Sequence, residues 1–284
     1  MLRKIALLTL ILANIVCAEA QMKFGVHVEP LVSFSGSSSR SVSATGSNLG
    51  VALGLEGEYY FNEDKENYAF TFGLDFSFNK GGKLQFKNRG KFFPNSDLDK
   101  NVFVLNDANK SSYATGNPIK LAAGTEVRYS ISYLELPVGI KLRTNELGQS
   151  YVRAFFHLPI AKIMVPLIAR GTFYQYDATG LDLADEGGYV LENGLESHKE
   201  PNIYKDVVPV QVSIGGGIGA EYAPNADGGL RITAGLYYDY GLFDITRGKI
   251  NMNAYVNQIG YTDIREENPH NPLQNIALRI GVIF

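Results

Sequence analysis

Tryptophan is absent and cysteine occurs once, at Cys17, in a chain of 284 residues. One thiol excludes an internal disulfide and any metal site built on several thiolates. A strong charge of either sign is also lacking. Lys and Arg number 26 against 29 Asp and Glu, a formal charge of -3, and this mild acidity argues against nucleic acid as a partner. After residue 21 no apolar run reaches the ~20 residues that a membrane-spanning helix needs. No cofactor is expected.

The first twenty residues read as a targeting segment. Arg3 and Lys4 form a positive start, and Ile5 to Val16 form an apolar stretch interrupted only by Thr9 and Asn14. Ala18-Glu19-Ala20 has the small-x-small pattern of a signal-peptidase site, with cleavage expected between Ala20 and Gln21. Lipid attachment at Cys17 fits less well, because Val16 before it is not small. Cleavage removes Arg3, Lys4 and Glu19, net +1, together with Cys17, and takes the formal charge to -4. The expected organisation is a signal peptide over 1–20 and one domain over 21–284.

What is abundant is glycine, tyrosine and phenylalanine: 30 Gly, 17 Tyr and 16 Phe. They sit in segments with period-two alternation, the signature of β-strands. Eight such segments are evident: Phe24 to Phe34, Leu49 to Phe61, Tyr68 to Phe78, Tyr133 to Arg143, one from Tyr151 blurred by Pro159 and Pro166, Val208 to Tyr222, Leu230 to Phe243, and Leu273 to Phe284. In the third, Tyr68, Phe70, Phe72, Leu74, Phe76 and Phe78 alternate with Ala69, Thr71, Gly73, Asp75 and Ser77. Upstream of the fourth, Val127, Tyr129 and Ile131 stand in the opposite phase to Leu134 and Leu136, which predicts a bulge near Ser132.

One face of each segment is apolar and aromatic; the other carries Gly, Ser, Thr and full charges. A water-soluble sandwich would place its charges outward over an apolar core. A chain with a signal segment suits the converse, with lipid outside and a polar interior. Loop lengths agree. Connections 62–67, 144–150 and 223–229 are short, and 35–48, 79–126, 170–207 and 244–272 are long, in strict alternation. Outer-membrane barrels pair short periplasmic turns with long outer loops. Phe24, Phe61, Tyr68, Tyr151, Tyr222 and Phe284 fall at the turn ends, as an interfacial belt. The expected fold is all-β: a closed antiparallel transmembrane β-barrel of eight strands in the bacterial outer membrane, both termini periplasmic. Ten strands result if Lys83 to Lys87 and Val102 to Val104 form a further hairpin.

The segment Tyr133-Leu134-Glu135-Leu136-Pro137-Val138-Gly139-Ile140-Lys141 resembles the Tyr-Leu-Glu-aliphatic-Pro strand of the outer-membrane β-barrel domain family common in Bacteroidota, which includes PorT-like barrels. Ile280-Gly281-Val282-Ile283-Phe284 resembles the terminal aromatic strand that the barrel-assembly machinery reads, with Phe284 as the signal. The first segment, Phe24-Gly25-Val26-His27-Val28, departs from PorT itself in lacking a Gly-x-Asn pattern. The resemblance implies outer-membrane lipid, lipopolysaccharide and the assembly machinery as partners. It also implies secretion-system proteins if the chain is an accessory barrel of type IX secretion or gliding.

Candidate site residues lie on the inward faces. Glu29, Glu56, Glu58, Asp75, Glu135, Glu221 and Asp239 stand with Lys141, Arg153, Arg231 and Arg279, and with His27 and His157. An eight-stranded barrel is just wide enough for side chains to fill it, and unpaired charge there is costly. These residues are therefore expected to form a salt-bridged plug with a structural role. The expected pairs are Glu221 with Arg231, if the turn is centred on Ala226, and Glu29 with Arg279 across the barrel closure. No serine beside either histidine makes a triad evident. Gly215-Gly216-Gly217-Ile218-Gly219 has the look of a dinucleotide loop, but Pro224 and Gly228-Gly229 leave no room for the helix that motif needs. Small inward residues making room for arginines account for it. Asp97-Leu98-Asp99 lacks the glycine and closing glutamate of a calcium loop, and Asp182, Asp185 and Glu186 read as a solvated loop. The expected function is a non-enzymatic barrel whose outer loops bind or scaffold. The alternatives are the secretion accessory, then a narrow porin-like channel, then a lipid-modifying enzyme.

Overall fold

A computed structural model describes residues 22–36, 42–61, 66–86, 90–91, 120–121, 126–147, 151–174, 197–224, 229–247, 253–255, 264–266 and 270–284. The signal segment, the Ala20–Gln21 cleavage site, Val102 to Val104 and both acidic loops lie outside these residues.

Eight long strands form the wall: β1 (Met22–Ser35), β2 (Val42–Tyr60), β3 (Tyr68–Lys80), β4 (Glu126–Arg143), β5 (Val152–Tyr174), β6 (Gln211–Tyr222), β7 (Arg231–Asp244) and β8 (Pro272–Ile283). Each pairs antiparallel with the next, and β8 pairs with β1, with Val28 facing Ile280 and Ser33 facing Asn275. Closure removes the sheet edges that lipid could not satisfy. Gly82–Phe86 continues β3 and pairs with the start of β2 and of β4, so Lys83 to Phe86 adds length to a wall strand and not a ninth strand. Asn79 and Gly81, both with positive φ, turn the chain between the two pieces. Gly81 suits this place because a Cβ there would run into the carbonyl of Tyr129.

The apolar face points outward. Phe24, Leu49, Leu53, Leu55, Phe156, Ile218, Leu236 and Leu278 are among the exposed residues, and the aromatic belt Phe24, Phe61, Tyr68, Tyr151, Tyr222 and Phe284 is exposed at the turn end.

Four expectations are corrected. β2 begins at Val42, so the connection expected over 35–48 shrinks to 36–41 and the alternation of long and short loops is not strict. β5 does not fade at Pro159 or Pro166 but runs on to Tyr174. It accommodates the prolines at irregularities, where Ile160 and His157 face Gly139 and Lys141, and Ile168 and Pro166 face Ser132 and Tyr133. Leu158 and Pro159 leave the ladder on both sides, so the missing N–H of Pro159 breaks no pairing, and Pro166 sits opposite Tyr133 next to the extra residue Leu167. The bulge expected near Ser132 therefore lies across from it, at Leu167 of β5, and β4 alternates without a break. Val127, Tyr129 and Ile131 consequently face inward, on the same side as Glu135 and Lys141. Finally, Gly219 faces Gly235 and Glu221 faces Thr233, which centres the β6–β7 register one residue beyond Ala226 and separates Glu221 from Arg231.

Candidate functional site in the barrel interior

The interior is built in tiers, each set by inward positions that register brings to one height. At the turn end, Glu66 contacts Arg231, lies 2.8 Å from Lys23 Nζ and 3.3 Å from Arg153. Arg153 also reaches Glu146 at 3.2 Å. Glu66 comes from the turn after β2, where no strand pattern signals it.

The next tier joins Glu58 and Glu221 through Lys141 and Arg143. Lys141 Nζ lies 2.7 Å from Glu58 and 3.1 Å from Glu221. Arg143 contacts Glu58 and donates from Nε to Glu221 at 2.6 Å. Tyr60 donates to Glu58 at 2.5 Å. Glu58 thus accepts several charge-assisted bonds and Glu221 accepts one beside its ion pair with Lys141, which makes burial of their charge tolerable.

Above this, Arg279 sits among three carboxylates: Glu29 at 2.9 Å, Glu56 at 3.1 Å and Asp75 at 3.7 Å. Its guanidinium lies 4.5 Å from the centre of the Tyr237 ring. His27 Nε2 stands 3.3 Å from Asp75. Gly54 makes this approach feasible, since a Cβ on it would meet both Asp75 and His27. On the other side, His157 Nε2 and Thr71 Oγ1 are 2.7 Å apart, and His157 Nδ1 is 3.3 Å from Tyr237 Oη.

The last charged tier holds Lys162 at 2.6 Å from Asp239, and Lys80 at 2.5 Å from Glu135, which Ser77 also contacts. Lys162 is 3.9 Å from Glu135. Beyond it an apolar cluster forms, with buried Asn48, Asp206 and Gln211 beside it. Tyr129, Tyr133, Ile131, Met164, Leu84 and Leu273 pack with Ile203, Val207 and Ile245. Ile203 and Val207 belong to the segment between β5 and β6, folded into the barrel mouth. Ile203 N donates to Ala169 O at 3.0 Å, and Tyr204 Oη to Pro166 O at 2.8 Å.

All eleven charges expected in the lumen face the interior, and Glu29 and Arg279 meet. Glu221 and Arg231 do not, being held by Arg143 with Lys141 and by Glu66. Arg143, Lys162, Lys80, Glu66 and Lys23 are additional partners. Lys162 escaped because Pro159 hid the rest of β5, and Lys80 because it was placed in a loop. Arg143 closes a strand whose inward parity was readable. The glycine run of β6 is strand, not a phosphate loop, and it makes room for aromatics rather than arginines: a Cβ on Gly217 would meet the Tyr237 ring, and one on Gly219 would meet Phe155.

No curated protein matches this sequence. Among solved structures, Neisserial surface protein A is similar at 11% identity and a TM-score of 0.35, covering 92% of this chain and 95% of that one. The attachment invasion locus protein Ail of Yersinia pestis is similar at 10% identity and 0.32, covering 93% and 98%. A major outer membrane protein of Thermus thermophilus is similar at 12% identity and 0.36, covering 93% and 98%. The model of the outer membrane protein beta-barrel domain matches residues 18–247, most of the chain, and with the closed eight-stranded wall in place this chain belongs to that family.

Proposed function

We propose that this chain is a non-enzymatic, non-conducting barrel of the outer membrane whose binding or scaffolding role is carried by the long segments joining β3 to β4, β5 to β6, and β7 to β8. The observation that carries this reading is the filled interior. Paired charges occupy the barrel from Glu66 to Lys80, and the cluster around Tyr129, Ile203 and Val207 closes the other end. A water-filled channel needs an open polar path; here the charges are spent on one another and a closely packed cluster follows. The two inward histidines are enclosed in the same network, His157 between Thr71 and Tyr237, away from the lipid face where a lipid substrate would arrive. The Tyr133–Lys141 segment that resembles PorT-like barrels has structural work here, with Glu135 on Lys80 and Lys141 on Glu58, so its side chains serve the barrel before any secretion partner.

The test is conductance of the purified full chain in planar lipid bilayers. No unitary steps are expected. Reproducible steps from folded protein would overturn the reading and favour the narrow pore. Lipid A mass spectra from a deletion strain should match the parent; an altered acyl pattern would favour an enzyme.

A further inference from the structure

We infer that His27, Glu29 and Asp75 form an intrabarrel site for a divalent cation of the zinc class. Three ligand atoms, one from each residue, lie within 4.8 Å of one another, and all three residues are buried. His27 Nε2 stands 3.3 Å from Asp75 Oδ1 and 4.0 Å from Glu29 Oε2. Ligands about 2.0–2.2 Å from a tetrahedral ion stand roughly 3.3–3.6 Å apart, so His27 and Asp75 already have that spacing and Glu29 must move inward to complete it.

Unmet bonding points to a ligand there. Neither ring nitrogen of His27 nor Asp75 Oδ1 has a hydrogen-bond partner, although all are enclosed. Folded proteins in general leave few buried polar atoms so, and here three of them, from two facing residues, converge on one space.

The surroundings suit a histidine ligand. Glu56 Oε2 lies 3.9 Å from His27 Nδ1, on the far side of the ring from Asp75. A shift of Glu56 onto Nδ1–H would fix the tautomer that leaves Nε2 free to bind. Arg279 holds Glu29 and Glu56 in position. Nitrogen and oxygen ligands with no thiolate suit zinc and its neighbours.

The experiment uses the full chain refolded in detergent with Zn2+ present and then dialysed, with heat-modifiable migration confirming the barrel and elemental analysis counting the metal. Folded wild type should retain about one equivalent. Folded His27→Asn and Asp75→Asn should retain less than a tenth of that. His157→Gln and His270→Asn, which change histidines outside the cluster, should retain it in full. Glu56→Gln should weaken retention about 10–100-fold. Co2+ in place of zinc should give the intense visible bands of a tetrahedral site in wild type alone among the wild-type, His27→Asn and Asp75→Asn proteins. A folded wild type that holds no zinc overturns the proposal, whether or not any variant folds. So does stoichiometric zinc that persists in His27→Asn, or that is lost only in His270→Asn.

Discussion

The inward charges are not interchangeable residue by residue, because they share partners to different degrees. Arg279 serves Glu29, Glu56 and Asp75 together, so deleting it strands Glu29 and Asp75 while Glu56 keeps Lys141 at 3.3 Å, and deleting Glu29 with it still strands Asp75. Lys162 and Asp239 form a cleaner pair at 2.6 Å, because the nearby Glu135 keeps Lys80. Removing one partner of a buried pair typically costs about 3–5 kcal/mol, since the survivor is left uncompensated, whereas removing both lifts that penalty. Lys162→Met should therefore lower the stability of the refolded barrel by about that amount, and Lys162→Met/Asp239→Asn should recover more than half of it. Denaturant midpoints in detergent measure both. Equal midpoints for the single and double variants would mean that water screens these charges.

The segment that follows β5 is the element whose role differs most from a surface loop. Ile203 and Val207 are fully buried in the barrel mouth, yet the segment is tied down by a few bonds, among them Ile203 N to Ala169 O, Val208 N to Ile245 O and Arg247 N to Asp206 O. Segments held by few contacts open locally at a fraction of the global unfolding free energy. A charge forced into this apolar cluster should favour the undocked form. Ile203→Asp is expected to make the 201–209 segment cleavable by protease while the barrel keeps its heat-modifiable migration. If Ile203→Asp resists protease as well as the parent does, the docking of this segment does not depend on the cluster.

For the whole molecule, the exposed apolar band and the family membership place the barrel in the outer membrane, and the band's energetics can be measured. Leu53 is half exposed on the lipid face at the level of Val28 and Phe76. Lysine at the bilayer midplane of such barrels costs about 2–4 kcal/mol. Leu53→Lys should show a loss of that size for protein refolded into phospholipid vesicles; a loss below about 1 kcal/mol, the value near the interface, would move Leu53 away from the midplane. Orientation is a separate expectation. Tags at Asn109 and Asn193, in the long connections, should be reached by antibody on intact cells, and a tag at Asn225, in the short β6–β7 connection, should not. Labelling at Asn225 would invert the barrel.

Strand identity and facing were legible from the sequence, because side-chain alternation is a local property: Tyr68 to Phe78 and Leu230 to Phe243 declare which residues share a face without reference to any neighbour. The same parity marked Glu29, Glu56, Glu58, Asp75 and Arg279 as companions of one interior. The partners within that interior were decided by the tertiary structure. Glu221 joins Arg143 because the β6–β7 register is centred beyond Ala226, and a shift of one residue in a turn's centre moves each cross-strand partner by two. Lys162 enters the network because β5 continues through Pro159 by leaving residues out of the ladder, an accommodation that depends on β4 and β6 beside it. Val127, Tyr129 and Ile131 look like a change of phase along one strand. They become an apolar cap only because closure brings Met164, Leu84 and Leu273 to the same height and leaves a space that Ile203 and Val207 fill. Alternation is written in neighbouring residues, whereas register and the filling of a closed barrel depend on residues far apart in the chain.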